Sequence, residues 1–462
     1  MDNKNEDLEL LRDKVRDVTT QIMCNVQQRI ELAKKIGEIK SRLGIDIRDE
    51  KVEHEIRMKV MLLANEIGMS DEFALQLLNI LLTESESVQV GKHPQKTVQK
   101  QTHLSIFAKA KQLEASGKKI IHMEVGEPDY PAPSIVGSTL TKSFRLKQYH
   151  YTDTYGISEL RKAIAKKEGG NLSEHQVMVT PGARFAVFSA ITSLLRAGQE
   201  IIVIEPAWPA YKECADFVGA RTRVIDTTLE NEWRPDTKQL EEMINPSTKM
   251  IVLNYPNNPT GKVLDTKTTE RIVSIAKDHA LYLLSDEVYS DYAFNQFDSI
   301  RNYVYGKSIL VGSFSKRYAM TGFRVGYGIA NKEIISKMAK VQAAAVTSVA
   351  EPIQHAALAA LGISPSENVK LIERRLEFVC RKLKEMSLRF VRPDGGMYVY
   401  PELPLSEDIP VIEKMLEQGV AIAPGSGFGD LYKRFVRISA CQPENVLGMG
   451  LDIMASVINE HA

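Results

Sequence analysis

The chain has 462 residues, with 59 Lys plus Arg and 59 Asp plus Glu, so its formal net charge is zero and nucleic acid or an anionic membrane is a poor fit as its main partner. A composition of 44% hydrophobic and 26% charged residues excludes global disorder. No apolar run is long enough to span a membrane, the first residues are acidic rather than signal-like, and the 4 cysteines show no metal or disulfide spacing, so we expect a reduced, cytoplasmic protein.

Proline and glycine divide the chain. None of the 19 prolines precedes Pro94, and 3 of the 28 glycines lie in residues 1–90, which are therefore free to form long helices. Residues 1–90 carry 13 Lys/Arg and 18 Asp/Glu, a net charge of −5 that leaves +5 for the rest. We predict an all-α helical domain at 1–90, a linker or arm at 91–101, and an α/β domain at 102–462, where apolar runs alternate with helical patterns.

The first domain begins with an apolar stripe that recurs every three or four residues, as on one face of a helix. The pattern predicts a helix of roughly 35 residues, about 50 Å long, that ends at Gly44. Two further stripes predict a second helix up to Gly68 and a third that reaches Gln89. Since such helices cannot bury their stripes alone, helix partners are required. The first stripe consists of Leu8, Leu11, Val15, Val18 and Ile22.

Each stripe later carries polar residues where core residues are expected, and buried ions are costly unless they are paired with each other or with a ligand. Arg29 and Lys40 are 11 residues apart, three helical turns, so they share a face. Arg12 lies about 100° off that face and would have to reach the pocket from another chain. The other polar residues in these positions are Glu53, Ser85 and Gln89.

Over residues 6–90 the segments LELLR, QQRIELAKKIGEIK, IRDEKVE and TESESVQ resemble the all-helical chorismate mutases. The resemblance implies an intertwined dimer of three-helix chains. Val52 is a departure, because the family often has arginine there. The implied roles are binding of the two substrate carboxylates by Arg29 and the partner's Arg12 with help from Ser85, contact with the ether oxygen by Lys40 and Gln89, contact with the ring hydroxyl by Glu53, and substrate binding by Asp49.

Those residue types suit the rearrangement of chorismate to prephenate. The reaction is unimolecular and forms no covalent enzyme intermediate, so it needs fixed cations and an amide donor around a folded dianion rather than a nucleophile or a metal. An alternative interpretation is a degenerate helical module that serves dimerisation or senses an aromatic end product.

In the second domain, several predicted strands end in polar or aromatic residues. KSILVGSFSKRYAMTGFRVGYG places Lys316 on a loop after a strand, and a lysine there is a candidate Schiff-base amine. Because ligands bind beyond the carboxyl ends of strands in open α/β sheets, these ends should share one rim and together supply what pyridoxal 5'-phosphate requires. The other contributions are Gly182 at a helix start, Trp208, Asn258, Asp286, Tyr289 and Arg324.

From about residue 100 to 460 the motifs SFSK, NNPTG and SDEVY resemble a fold-type I aminotransferase of the aspartate/aromatic/prephenate class. The resemblance implies a mostly parallel sheet in a large part at about 135–335, and a smaller α+β part from about 102–134 plus 336–462. It also implies a homodimer. The implied roles are Schiff-base formation and proton transfer by Lys316, pairing with the ring nitrogen by Asp286, ring contacts by Tyr289, Asn258 and Trp208, phosphate binding by Gly182, Ala183, Ser313, Ser315, Arg324 and the partner's Tyr151, and substrate binding by Arg437 and Gly126.

Arg184 stands where related bacterial aspartate and prephenate aminotransferases have a lysine that meets a distal carboxylate, so it is either a carboxylate clamp or a solvated arginine. Two such domains predict a bifunctional enzyme of aromatic amino acid synthesis: a chorismate mutase fused to an aminotransferase. The amino donor is glutamate or aspartate, and the acceptor is prephenate or an aromatic 2-oxo acid. One alternative is an aspartate aminotransferase with a non-catalytic or regulatory helical domain; another is a transcription factor with an aminotransferase-like sensor, which the acidic first domain disfavours.

Overall fold

A computed structural model describes residues 3–43, 50–89 and 103–461. The chain divides into two units, Met1–Gln99 and Lys100–Ala462. The predicted linker at 91–101, the helix-ending Gly44 and the predicted binding residue Asp49 lie outside the described residues.

Three helices form the first unit: α1 (Asn3–Leu43), α2 (Glu50–Ile67) and α3 (Asp71–Gln89). With 41 residues and no proline, α1 is about 60 Å long. Helix α3 packs against both α1 and α2. The predicted all-helical unit is therefore confirmed. Its buried apolar residues are Ala33, Ala64, Ala74, Leu78 and Leu82.

The apolar stripe in the first half of α1 stays exposed within one chain. Leu11, Val15, Val18 and Ile22 are each between 52% and 65% exposed. A contiguous apolar surface of this kind marks an interaction site on a soluble protein. This exposure agrees with the expectation that the helix needs partners from another chain.

A sheet of seven strands forms the centre of the second unit, in the order β2-β8-β7-β6-β5-β3-β4. Among the described strands of this sheet, β8 is antiparallel to both of its neighbours, and the others run parallel to one another. The predicted mostly parallel sheet is thus confirmed. The strands are β2 (Val177–Thr180), β3 (Glu200–Glu205), β4 (Arg221–Asp226), β5 (Thr248–Asn254), β6 (Tyr282–Asp286), β7 (Ser308–Ser313) and β8 (Gly326–Ile329).

Helices cover both faces of this sheet, which is why β3 and β5 are apolar and buried along almost their whole length. Successive residues of β3 point to opposite faces: Ile201 packs in a core that includes Met338, and Ile202 in a core that includes Ile272. The helices around the sheet are α5 (Ser134–Arg145), α6 (Ser158–Glu168), α7 (Ala183–Leu194), α8 (Ala210–Phe217), α9 (Thr237–Glu242), α10 (Thr266–Asp278), α11 (Phe314–Arg317), α12 (Lys332–Ala345) and α13 (Glu351–Ala360). The predicted end of the large part near residue 335 falls too early, because α12 and α13 pack against α7 and α5 beside this sheet.

A second core joins the start and the end of this unit. Ile106 and Ala110 of α4 (His103–Ala115) pack in the same cluster as Ile372, Val411 and Leu447. The cluster surrounds two short sheets, β1-β10 and β11-β12-β9. The remaining elements are β1 (Ile121–His122), α14 (Ser366–Glu385), β9 (Tyr398–Val399), α15 (Ile409–Glu417), β10 (Val420–Ala421), β11 (Ala423–Pro424), β12 (Val436–Ser439) and α16 (Glu444–His461).

Among the helices that the structure describes, none combines the length and the apolar character needed to cross a bilayer.

Candidate functional sites

A half-buried guanidinium marks the first unit. Arg29 of α1 donates a hydrogen bond from Nη1 to the Leu81 carbonyl, at 2.5 Å, and another to the Ser85 hydroxyl. Ser85, which is 6% exposed, in turn donates to the Leu81 carbonyl at 2.8 Å. Burial lowers the pKa of Arg29, but a guanidinium stays charged in proteins. Because its hydrogen bonds within the described residues go to neutral oxygens, its charge remains free to attract a carboxylate.

An amide group lies nearby on the same pair of helices. The Oε1 atom of Gln89 is buried and has no hydrogen-bond partner within the described residues. A Cβ atom on Gly37 would lie 2.6 Å from the Gln89 Cα atom, so only glycine permits this approach of α1 and α3. Lys40, one turn after Gly37, and Glu53 of α2 are half-buried. The α1–α3 contact therefore contains three of the predicted polar residues, Arg29, Ser85 and Gln89.

Arg12 lies elsewhere on α1. Its side chain is 57% exposed and pairs with Glu9 at 2.6 Å. Seventeen residues along a straight helix separate it from Arg29 by roughly 25 Å. It therefore does not reach the Arg29 site of its own chain, in keeping with the expectation that it serves a second copy.

In the second unit, the ends of β5, β6 and β7 open into a cavity of about 520 Å³. Most of the residues predicted for the cofactor and the amino-acid substrate line it. Gly182 adjoins the cavity through Ala183, whereas Tyr151 is 91% exposed and lies outside the lining. The predicted residues that line the cavity are Gly126, Ala183, Arg184, Trp208, Asn258, Asp286, Tyr289, Ser313, Ser315, Lys316, Arg324 and Arg437.

A buried carboxyl group lies at the floor of the cavity. Asp286 ends β6, is 3% exposed, and accepts a hydrogen bond from the Tyr211 hydroxyl at 2.7 Å. Burial raises the pKa of Asp286 to about 6. Burial disfavours the carboxylate form of Asp286, and a cationic partner such as a protonated ring nitrogen would stabilise it.

The candidate Schiff-base lysine follows β7. Lys316 lies in the one-turn helix α11 rather than on the loop that the sequence suggested, because the Ser313 hydroxyl caps that turn by accepting from the Ser315 N–H at 3.0 Å. Its Nζ atom donates to the Gly126 carbonyl. The hydroxyls of Tyr289 and Tyr398 share a hydrogen bond of 2.7 Å, and burial raises the pKa of Tyr289, so Tyr289 keeps its proton beside the lysine.

Backbone and cation together form an anion-binding cradle beside these groups. Gly182 adopts a φ of +84° before α7, and a Cβ atom there would lie 2.6 Å from Arg324 Nη2. A Cβ atom on Gly326 would lie 2.5 Å from the Ala183 nitrogen. The free N–H groups of the α7 start, the Arg324 guanidinium and the hydroxyl of Ser315 therefore fit a phosphate ester.

A deeply buried arginine faces the cavity from the other side. Arg437 of β12 is 2% exposed, donates to Asn258 Oδ1 at 2.8 Å and to the Glu124 carbonyl, and stacks on the Tyr398 ring at 4.2 Å. Its Nε atom has no hydrogen-bond partner within the described residues. A buried cation held by neutral acceptors calls for an anion, and a planar guanidinium binds a carboxylate with two hydrogen bonds.

A second arginine lies at the mouth of the cavity. The Arg184 guanidinium stacks over Trp208, 4.4 Å from the ring centroid, and lies 3.9 Å from the Glu213 carboxylate. Its side chain is 44% exposed. It is therefore held loosely enough to turn toward a ligand.

Sequence reasoning missed several cavity residues. Tyr211 supplies the hydroxyl group on Asp286, Tyr398 stacks on Arg437, and Asn254 accepts from the Asn258 N–H at 3.1 Å. A signal existed for Tyr211, because it follows Trp208 by three residues and so lies one helical turn further on. Phe107, from α4, had no such signal, since only the packing of the unit brings α4 to the cavity.

The two units thus differ in chemistry: the helical unit holds a half-buried guanidinium, and the α/β unit has a cavity in which a lysine, a buried carboxyl group and an anion-binding cradle lie together. The sequence profile described as Aminotransferase class I and II matches residues 118–448, and that described as Chorismate mutase type II matches residues 11–90. The chain belongs to the class I and II aminotransferases, with an N-terminal chorismate mutase type II domain. Both family assignments are enzymatic.

Relatives of known function match the second unit. The aspartate aminotransferase of Thermotoga maritima is 34% identical over 77% of this chain and 96% of its own length, and its crystal structure superposes with a TM-score of 0.74 over the same shares of the two chains. The aspartate/prephenate aminotransferase of Thermus thermophilus is 31% identical over 77% of this chain and 95% of its own. The aromatic-amino-acid aminotransferase 2 of Thermococcus litoralis is 32% identical over 74% of this chain and 92% of its own length.

Proposed function

We propose that the protein is a dimeric, cytoplasmic enzyme of aromatic amino acid synthesis that rearranges chorismate to prephenate and then aminates prephenate. The observation that carries the proposal is that one chain holds two separate sites, each with a guanidinium whose hydrogen bonds go to neutral oxygens. Arg29 in the first unit and Arg437 in the second both have this environment. The four cysteines are free, which suits a reducing compartment.

In the proposed mutase site, Arg29 and Ser85 bind one substrate carboxylate, and Arg12 from a second copy of the chain binds the other. Lys40 and Gln89 stabilise the negative charge that grows on the ether oxygen as the bond breaks. The Oε1 atom of Gln89 has no partner within the described residues, and a flip of the amide would put its N–H group at that position, as a donor to the ether oxygen. Glu53 and Asp49 contact the ring hydroxyl side. Catalysis is by orientation and charge, with no covalent step.

The second unit fits pyridoxal 5'-phosphate, the cofactor of the class I and II aminotransferases. The start of α7, Ser313, Ser315, Arg324 and the partner's Tyr151 would hold its phosphate, and Trp208 would stack on its ring. Asp286 would pair with the ring nitrogen, and Tyr289 and Asn258 would contact the ring hydroxyl. When bound, the cofactor withdraws electrons from the substrate α-carbon.

The chain's own residues then position the substrate and move its proton. Arg437 binds the α-carboxylate with two hydrogen bonds, and Gly126 lies alongside. Lys316 Nζ would accept the proton from the substrate α-carbon while the bound cofactor withdraws electrons from that carbon. The same cavity first accepts an amino donor and then the 2-oxo acid that receives the nitrogen.

Arg184 favours a substrate with a second carboxylate. Glutamate and aspartate have one, and so does prephenate, whose ring carboxylate is absent from phenylpyruvate. The name of the Thermus relative includes prephenate, which agrees with this choice. The aromatic aminotransferase among the relatives favours phenylpyruvate or 4-hydroxyphenylpyruvate as a second candidate acceptor.

The test removes one site at a time from the full-length, cofactor-loaded protein. Arg29→Ala should lower chorismate consumption at least about 100-fold while transamination persists. Lys316→Ala should abolish the visible absorbance of the bound cofactor and transamination while chorismate is still consumed. The matched controls are Arg42→Ala and Lys337→Ala, at exposed positions, which should leave both activities unchanged.

Wild-type protein that consumes no chorismate but transaminates aspartate would instead be an aspartate aminotransferase with a non-catalytic helical domain. A visible cofactor band that survives in Lys316→Ala would contradict the role of that lysine.

A further inference from the structure

Two tyrosines, Tyr292 in the core and the half-buried Tyr130, connect to Lys316 from its main-chain side. The Tyr292 hydroxyl donates to the Lys316 carbonyl at 2.9 Å, and the hydroxyls of Tyr130 and Tyr292 are 2.5 Å apart. Since the Tyr292 proton points at the carbonyl, Tyr130 is the donor between the two phenols. Tyr292 is fully buried, and burial raises the pKa of Tyr130 to about 12, so both phenols keep their protons at neutral pH.

The carbonyl needs this donor. Lys316 lies in a helix of four residues, whose carbonyls have few partners within the helix. The Tyr318 N–H is shared between the Lys316 and Phe314 carbonyls, and the Ala319 nitrogen is 3.5 Å from the Lys316 oxygen, at the limit of hydrogen-bond geometry. The Tyr292 hydroxyl, at 2.9 Å, is the side-chain donor to this oxygen. Loss of the phenol would leave a half-buried carbonyl poorly satisfied and the main chain of the lysine free to shift.

One short segment contacts both ends of the lysine. Gly126 accepts from Lys316 Nζ, and four residues later Tyr130 contacts Tyr292, which holds the Lys316 carbonyl. The segment itself is fixed, because Asp129 pairs with both terminal nitrogens of Arg375 on α14, at 2.6 and 3.0 Å. Residues 126–130 thus connect the lysine amine, the lysine main chain and the second core of the unit.

We propose that Tyr292 and Tyr130 are positioning residues for Lys316: they fix its main chain so that the side chain alone swings between the Gly126 carbonyl and the reacting atoms. Proton transfer at the α-carbon depends on the distance and angle of the amine, and a misplacement of 1 Å can cost roughly 100-fold in rate. The proposal rests on the proposed role of Lys316 and adds two residues that lie outside the cavity lining.

The experiment compares Tyr292→Phe with Tyr305→Phe in the full-length protein. Tyr305 is a matched control, because its hydroxyl also donates to backbone carbonyls, those of Leu281 and Ala276, but in a core away from the cavity. The readouts are the capture rate of added pyridoxal 5'-phosphate by cofactor-free protein, the pH midpoint of the bound cofactor's visible band, and one half-reaction with a donor deuterated at the α-carbon.

Tyr292→Phe should slow both cofactor capture and the half-reaction about 10-fold, move the pH midpoint, and raise the deuterium isotope effect, while the KM for the donor changes less than about twofold. Tyr130 contacts Tyr292 and not Lys316 itself, so Tyr130→Phe should cause the same changes to a smaller extent. Tyr305→Phe should match wild type in all of them.

The proposal is overturned if Tyr292→Phe and Tyr130→Phe behave as Tyr305→Phe does, or if they lose activity with an unchanged isotope effect and pH midpoint. Failure of the proposed function looks different, because wild-type protein itself would then form no visible band with pyridoxal 5'-phosphate.

Discussion

Asp286 and Arg437 illustrate how a site for charged ligands is built before the ligands arrive. Each is almost fully buried, and each is held by neutral groups: a phenol for the carboxyl, and an amide and a carbonyl for the guanidinium. Burial of a charge without a counter-ion costs free energy that binding of the right ion recovers. The arrangement favours a cationic ring at one position and a carboxylate at the other.

Asp286→Asn should change the pH dependence of stability in the cofactor-free protein. The folded-state pKa, about 6, lies above the ordinary value of 3.8, so the carboxyl costs nothing below about pH 4 and destabilises the fold progressively as pH rises through about 6. The rise in the pKa from 3.8 to about 6 corresponds to a loss of about 3 kcal/mol in the free energy of unfolding above that pH. The variant should therefore unfold at a higher temperature than wild type near pH 8 and at the same temperature near pH 4.

Asp278→Asn, at an exposed carboxylate, is the control and should show no such difference. A gap between Asp286→Asn and wild type that is the same at both pH values would mean that burial of this carboxyl group is not what raises its pKa. Added pyridoxal 5'-phosphate should stabilise wild type much more than the variant.

Arg184→Gln should separate substrates by their second carboxylate. A charge-assisted hydrogen bond contributes about 1.5–3 kcal/mol, so kcat/KM for prephenate and aspartate should fall roughly 10- to 100-fold, with little change for phenylpyruvate. The control is Arg196→Gln, which changes an exposed arginine outside the cavity lining. Equal losses for all three substrates would show that Arg184 supports the cavity wall rather than a distal carboxylate.

Residues within short motifs could be predicted, because a motif fixes both identity and position at a strand end. Lys316, Asp286 and Asn258 are of this kind. Tyr292 and Tyr130 could not, since a hydrogen bond between phenols 162 residues apart depends on how two segments pack. The same holds for Tyr211, whose hydroxyl meets Asp286 across 75 residues of chain.

At the scale of elements, the contact between α1 and α3 determines the first site. Gly37→Ala places a methyl group 2.6 Å from the Gln89 Cα atom and 2.8 Å from its carbonyl oxygen, so the helices must separate by a few tenths of an ångström or more. Although alanine is the better helix former by about 1 kcal/mol, chorismate turnover should fall at least about 10-fold.

The control for this prediction is Glu38→Ala, one residue further along, where the side chain is exposed. It should raise helix stability slightly and leave turnover unchanged. Turnover in Gly37→Ala equal to that in Glu38→Ala would mean that the close approach of α1 and α3 does not set the site's geometry.

Helices with a regular apolar repeat and strands with a continuous apolar run could be predicted from the sequence, whereas the residues at which they end were harder to predict. The three helices of the first unit follow the apolar stripes, and β5, β6 and β7 coincide with the apolar runs before Asn258, Asp286 and Lys316. The one-turn helix that carries Lys316 was not predictable, because four residues contain too little pattern to distinguish a turn of helix from a loop.

At the scale of the whole molecule, the proposed pairing of two first units would cover the exposed stripe on α1. Val18→Glu should place a charge in the centre of that contact, dissociate the helical units and abolish chorismate turnover. Sedimentation of the full-length protein and the isolated residues 1–95 measures the association. Association of the second unit can persist, so the isolated segment gives the clearer result.

Thr20→Glu adds the same charge about 200° further around the helix, at another exposed position, and is the matched control. It should leave association and turnover as in wild type. An unchanged dimer in Val18→Glu would contradict the proposed helical pairing and, with it, the contribution of Arg12 to a neighbouring chain's site.

We propose that one protein carries chorismate through both reactions. The most direct measurement supplies cofactor-loaded protein with ring-labelled chorismate and nitrogen-labelled glutamate or aspartate, and identifies the product by mass spectrometry. We predict labelled prephenate followed by its aminated form, arogenate, with both labels in one molecule. Chorismate recovered unchanged, while the same sample transaminates an added 2-oxo acid, would contradict the claim.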